Sequence, residues 1–245
     1  MNALLRAELL KMRTLRSFWW TAVVVLAAVP FLMASNIALT DDVQGRLNTA
    51  EGVRNVFSAA SSGLMLIVGI LVMAGEFRHG SAASTFLATP DRARVVKAKL
   101  ISGTLVGLVF AALAAVVALA VGLPWLDAKH VDLAAHADDV ALALVGSFVA
   151  TAFYALVGVG LGVLLRNQTV AITVAMGWLF IVEGALIAFV PDLGRWLPGG
   201  AAGALSGATG SNADLLPMWG GALLFTAYGL AFAAAGTRLI TRRDV

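Results

Sequence analysis

The chain has 245 residues, of which 60% are apolar and only 13% charged, with a mean hydropathy of +0.90. Soluble domains are about 45–50% apolar and about 25% charged, and a water-soluble core of this size cannot hide such an excess. The same composition excludes intrinsic disorder. The absence of cysteine excludes disulfides, thiolate zinc sites and thiol nucleophiles, and three histidines argue against a multi-histidine metal centre. What remains is a polytopic helical membrane protein.

The N-terminal stretch Met1–Ser17 contains helix formers and neither Gly nor Pro. Leu5, Leu9 and Met12 recur at helical spacing with Arg6 and Arg13 on a neighbouring flank, although Glu8 interrupts the apolar side. The pattern suits either a helix lying in the membrane interface or a plain basic tail that sets topology. The apolar run that follows is too long for the 7–15 residues of a signal-peptide core, so it reads as an uncleaved span.

Six runs are long enough to cross about 30 Å of hydrocarbon: Phe18–Leu39, Val56–Gly75, Ile101–Leu123, Val140–Leu165, Gln168–Val190 and Pro217–Thr237. The pieces between them fall short of the ~50 residues of a separate soluble domain, so residues 1–245 read as one transmembrane domain. The N-terminal tail and alternate connections carry Arg6, Lys11, Arg13, Arg16, Arg78, Arg92, Arg94, Lys97, Lys99, Arg166, Arg238, Arg242 and Arg243. The other side carries only Arg46, Arg54, Lys129 and Arg195. This asymmetry places both termini in the cytoplasm. It also accounts for a sequence pI near 9.7 at a net charge of only +3 without invoking nucleic acid. Trp19 and Trp20 at the inner interface, and Trp125, Trp196 and Trp219 at the outer one, suit aromatic belts.

The longest cytoplasmic connection is Glu76–Leu100. Ser81–Ala88 has the length of about two helical turns. Thr89-Pro90-Asp91 then reads as a helix start: Thr89 as N-cap, Pro90 at the first helical position, Asp91 at the positive end of the dipole. The physical reading allows either a docking element for a soluble partner or an ordinary basic loop. On the outer side, Pro191–Leu216 holds Leu197-Pro198-Gly199-Gly200 and further small residues. It is either a re-entrant segment whose backbone is covered by protein or a flexible Gly/Ala loop.

Within the spans Glu183 stands out, near the outer end of span five. Intramembrane acids are by default functional candidates. The alternative is a structural acid, protonated or paired with Arg195 or another outer-loop arginine. Gly103/Gly107, Gly158/Gly162 and Gly199/Gly203/Gly207 repeat with the small-xxx-small spacing of close helix contacts. No Gly-Lys pair occurs, so the chain has no Walker-type phosphate loop and is not itself an ATPase of that kind. His79, His130 and His136 all fall in connections; His130 and His136 among aspartates give only a weak hint of metal. No enzymatic constellation is present, and no cofactor is expected in this chain.

The run Glu76-Phe77-Arg78-x-Gly80-Ser81, then Leu87-x-x-Pro90-x-Arg92, then Lys99 entering a span, resembles the cytoplasmic loop of ATP-binding-cassette permeases of the type-2 exporter class. The layout of the whole chain resembles them too. That resemblance implies an all-α membrane domain: an N-terminal interfacial helix, six transmembrane helices, a coupling helix between spans two and three, and a re-entrant segment between spans five and six. It implies that Glu76, Arg78, Gly80, Ser81, Pro90 and Arg92 form or support the coupling element. It also implies two separate ATPase subunits, holding ATP and Mg, and a second permease subunit, identical or related, in a bacterial cytoplasmic membrane. The family exports drugs, lipids, polysaccharides and peptides, and no residue here selects among them. A different class of reading is an ion-gradient-driven transporter with Glu183 as its proton site.

Overall fold

The computed structural model describes residues 2–14, 16–41, 46–60, 63–78, 92–208 and 215–242. Among the described residues all regular structure is helical and no strand occurs. Helix α1 spans Asn2–Thr14 and α2 Arg16–Asp41. A 3-10 turn at Arg46–Asn48 leads into α3, Ala50–Ser58, and then α4, Met65–Arg78. The long helices α5 and α6 span Arg92–Ala128 and Ala137–Leu165. Helix α7 follows over Gln168–Phe189. It comprises an α-helical part to Met176, a π-helical stretch Gly177–Glu183 and a closing α-helical turn Gly184–Phe189. Short α8, Pro191–Gly194, precedes α9, Pro198–Ser206, and α10 spans Met218–Arg242.

Among the described residues four helices are long and apolar enough to cross a membrane: Phe18–Ala38, Lys97–Ala128, Ala137–Leu165 and Gln168–Phe189. They mark a membrane-embedded helical protein. The run Pro217–Thr237 falls almost wholly in α10, Met218–Arg242. One of the six runs read from the sequence differs. The run Val56–Gly75 is not one helix: α3 stops at Ser58, and α4 begins at Met65 with the apolar stretch Met65–Ala74. Ala59-Ala60-Ser61-Ser62-Gly63-Leu64 separates them, of which Gly63 and the two serines are weaker helix formers than alanine. The carbonyls freed at such a break need partners away from water. Helix α6 supplies them. Thr151 Oγ1 donates to the Ala60 carbonyl at 3.4 Å, and Ser147 Oγ reaches the carbonyls of Phe57 and Ser58 at 3.5 Å.

Helix α6 is the centre of the bundle. Along it, Gly158 meets Leu66 and Gly69 of α4, and Gly162 meets Ile70 and Met73, so α4 and α6 run in parallel. Gly103 and Gly107 of α5 meet Val159 and Ala155, in the opposite order, so α5 is antiparallel to both. The glycine pairs at 103/107 and 158/162 therefore sit at helix crossings. Phe225 of α10 lies 5.0 Å, centroid to centroid, from Tyr154 and 5.6 Å from Phe153. Phe18 of α2 lies edge-on to Phe110 of α5 at 5.8 Å.

Among the described residues three apolar clusters result, the smallest being Ile70, Ala74, Ala171 and Ala175 between α4 and α7. One gathers Met65, Leu66, Val72, Tyr154, Val159, Leu205 and Phe225 around the middle of α6. Another, with Val29, Met33, Ile37, Phe57, Ala118, Leu126 and Val140, joins the second halves of α2 and α5 to α3 and the start of α6. The far end of the bundle is closed by α3. Thr49 caps it, its side-chain oxygen accepting from the Gly52 amide at 3.1 Å. At the opposite end α6 stops at Arg166, in the left-handed region at φ 51°, and Asn167 caps α7 by accepting from the Val170 amide.

Candidate functional site

The sequence singles out two places: the cytoplasmic connection and Glu183. Of the first, the described backbone gives the two ends. Glu76 and Arg78 lie in the last turn of α4, and Arg92 is the first residue of α5. Because α4 and α5 are antiparallel, these ends face the same side of the bundle. Gly80, Ser81 and Pro90 lie outside the described residues, as does the expected coupling helix. The side chains of Glu76, Arg78 and Arg92 lie outside them as well.

Glu183 is fully placed. Residues 180–182 point outward, Phe180 and Ile181 being 62% and 72% exposed, whereas Glu183 is 2% exposed. It ends the π-helical stretch, where the wider turn brings its side chain round to α9. Its Oε1 accepts from the Gly199 amide, and the Gly200 amide also faces the carboxyl group. In α9, Leu197 is the N-cap, Pro198 the first helical residue, and Gly199 and Gly200 the next two. Leu197 has no side-chain oxygen to offer, so the amides of the first turn are left to Glu183. A negative group here also meets the positive end of the helix dipole. A Cβ at position 199 would sit 2.9 Å from the carboxylate oxygen, so glycine lets the acid come this close.

Of the options for a structural acid, pairing with Arg195 does not form. The Arg195 guanidinium lies 4.0 Å from Asp192 and 5.8 Å from the Trp196 ring centre. Two adjacent helical amides, fixed in direction, outcompete a long side chain whose head can reach water. Tyr228 of α10 adds a second tether, its hydroxyl donating to the Trp196 carbonyl at 2.7 Å.

Helix α9 itself is buried from Gly200 to Ser206 apart from half-buried Gly203. Gly146 of α6 lies directly against the Leu205 carbonyl, and a Cβ there would come within 2.6 Å of Ser206 Cα. Past Gly207, at φ 64°, the helix ends beside Arg54 of α3. Arg54 pairs with Asp139 of α6 at 3.1 Å, and Asp139 also meets His136 at 3.3 Å. The segment 198–206 is therefore a packed helix and not a flexible Gly/Ala loop. His136 belongs to this ion cluster, and no metal-binding group of His, Cys, Asp or Glu occurs among the described residues.

A polar pair that the sequence reading passes over lies at the other end. Glu8 of α1, noted only as an interruption of an apolar stripe, meets Lys99 of α5 at 2.6 Å. Both are buried, at 4% and 0% exposure. Lys11 also reaches Glu8, at 3.5 Å. The only signal in the sequence is the misfit of Glu8 itself. No protein-family model matches this chain, and no curated protein matches it.

Proposed function

We propose that this chain is the membrane-spanning permease subunit of an ATP-binding-cassette exporter. The observation that carries the reading is the stretch 76–92, from the last turn of α4 to the first residue of α5. It holds Glu76-Phe77-Arg78-x-Gly80-Ser81 and Pro90-x-Arg92, and it joins two antiparallel helices at the end of the bundle that holds the N-terminal helix. In this reading the spans number six, α4 and α10 being the second and sixth, with both termini in the cytoplasm of a bacterial cell. Helix α1 lies in the inner interface, with exposed Arg6, Arg13 and Arg16 near headgroups and exposed Leu10 and Trp20 toward acyl chains. Helix α9 is the re-entrant element, its backbone covered by α6 and α10.

Two copies, or this chain with a related one, enclose the path. Two ATPase subunits, which bind ATP and Mg, dock on the segments between α4 and α5. Gly80 and Pro90 set the backbone at the two ends of the docking element, and Glu76, Ser81, Arg78 and Arg92 hold its exit from the membrane or contact the partner. Closure of the ATPases on ATP moves these segments and switches the path between inward- and outward-facing states. The permease breaks no bonds itself. Glu183 Oε1 caps α9, which supports a structural role for this acid over the gradient-driven reading, while its Oε2 is buried without a hydrogen-bond partner.

The test is copurification from a mild detergent of the native complex, followed by ATPase turnover in lipid. An ATPase that comes with the wild-type chain and is released or uncoupled by Gly80→Val, Pro90→Gly and Glu76→Ala is the expected result. A chain that transports in vesicles with no ATPase present, and loses transport with Glu183→Gln, overturns the proposal.

A further inference from the structure

Helix α1 looks from its sequence like a helix that merely floats beside the bundle, but its inward face is Glu8 and Met12, both buried. They are one turn apart and so share a face. On α5, Val95, Ala98, Lys99 and Ser102 are each 0% exposed, and Lys99 meets Glu8. These four recur at i, i+3, i+4 and i+7, the spacing of one helix face. Lys99 is the charged member, and Glu8 lies 2.6 Å from its ammonium across a separation of 91 residues. The corner between α1 and α2 is fixed as well, because the Trp19 indole N–H donates to the Arg13 carbonyl at 2.9 Å. Helix α1 is thus held at its middle by a buried ion pair and at its C-terminal end by a hydrogen bond.

We infer that Glu8 and Lys99 are positioning residues that lock α1 to the first two turns of α5, so that the two move as one body. Lys99 lies seven positions after Arg92, where α5 leaves the segment 79–91. Whatever displaces that segment displaces Lys99, and through Glu8 it displaces α1. A buried ion pair transmits such motion well, because separating it strands two charges away from water. Surface Lys–Glu pairs, which exchange readily with solvent, do not. In the transport cycle, a step that rests on the exporter reading, a docked ATPase would reset the tilt of α1 in the interface at each turnover.

The chain has no cysteine, so a single one can be introduced at the buried Met12 and its maleimide labelling followed in the full-length protein in lipid nanodiscs. Met12→Cys is expected to label slowly with the native pair. Glu8→Gln and Lys99→Gln should speed labelling about tenfold or more, and the exchange Glu8→Lys with Lys99→Glu should restore protection. The conservative Glu8→Gln, checked for a monodisperse elution profile, separates loss of the lock from loss of the fold. Unchanged labelling in the single variants, or no recovery in the exchange, overturns the lock. The second arm measures ATP hydrolysis by the copurified ATPase in the same nanodiscs. The single variants should keep the ATPase bound but lower its permease-dependent turnover several-fold, with recovery in the exchange. Normal turnover in variants that label fast overturns the transmission step. A wild-type chain that binds no ATPase overturns the exporter reading, and the labelling arm still decides the lock.

Discussion

Gly158 is the position where the packing of α4 on α6 can be tested most sharply. A Cβ there would overlap the Leu66 carbonyl oxygen and sit 3.0 Å from Gly69 Cα and 3.0 Å from the Leu66 carbonyl carbon. All three are backbone atoms, which cannot rotate away. Ordinary carbon contacts lie at about 3.5–4.0 Å, so Gly158→Ala must push the two helices apart by roughly 0.5–1 Å. Overpacking of this kind costs about 1–3 kcal/mol. Against it stands the helix preference of Ala over Gly, about 0.5–1 kcal/mol. The net expectation is destabilisation by about 1–2 kcal/mol. Gly184 on α7 is the control, since a Cβ there meets nothing within 4 Å. Gly184→Ala keeps only the propensity gain and should be neutral or stabilising by up to about 1 kcal/mol. Thermal unfolding of both variants in the same detergent, read by tryptophan fluorescence, checks the pair. At about 2–4 °C per kcal/mol the melting temperatures should differ by roughly 2–12 °C, with Gly158→Ala the lower. Equal melting temperatures, or the reverse order, would refute the close crossing at Gly158.

Four further outcomes follow, the first three from the end of the bundle that holds α9. Glu183→Gln should retain the fold and protect α9 from protease nearly as the wild type does, because the amide oxygen still accepts from Gly199. Glu183→Ala should destabilise by about 1–3 kcal/mol and expose Arg195 to trypsin, because buried amides lose their acceptor. Asp139→Asn weakens the tie between α6 and α3 at Arg54, and its effect, about 1 kcal/mol or less for a partly exposed pair, should shrink further in high salt when unfolding is followed across a salt series. Cysteines placed at Ser84 and Thr241 should react only from the cytoplasmic side and one at Asp132 only from outside; outside labelling of Ser84 in intact cells would reverse the whole orientation.

How far the sequence discloses this structure differs from element to element. The apolar runs at 18–39, 140–165 and 168–190 coincide closely with helical candidates at Phe18–Ala38, Ala137–Leu165 and Gln168–Phe189. Membrane helices satisfy their own backbone, so a local count of apolar residues is nearly the whole determinant. The third run is longer in the structure, Lys97–Ala128, because Lys99 is buried against Glu8 and does not mark the helix end. The second run fails as a single helix for a non-local reason: the hydroxyls that make its break tolerable belong to Ser147 and Thr151. The site around Glu183 was half legible. The acid and the Pro198-Gly199-Gly200 helix start are both conspicuous, but only the π-helical turn and the fold-back at α8 bring them together. Glu8 and Lys99 meet through tertiary packing alone, and hydropathy carries no term for a charge that is buried with its partner.

The break between α3 and α4 has a consequence for how the chain is made. Helix α4 has 14 residues, about 21 Å of helix, short of the hydrocarbon thickness of about 30 Å. Such a segment is a weak signal for the insertion machinery, and the carbonyls at its head find their partners on a helix about 90 residues later in the chain. At a synthesis rate of about 20 residues per second, those partners emerge roughly five seconds after the segment they serve. The packing of α3 and α4 is therefore completed only once α6 has been made, well after their own synthesis.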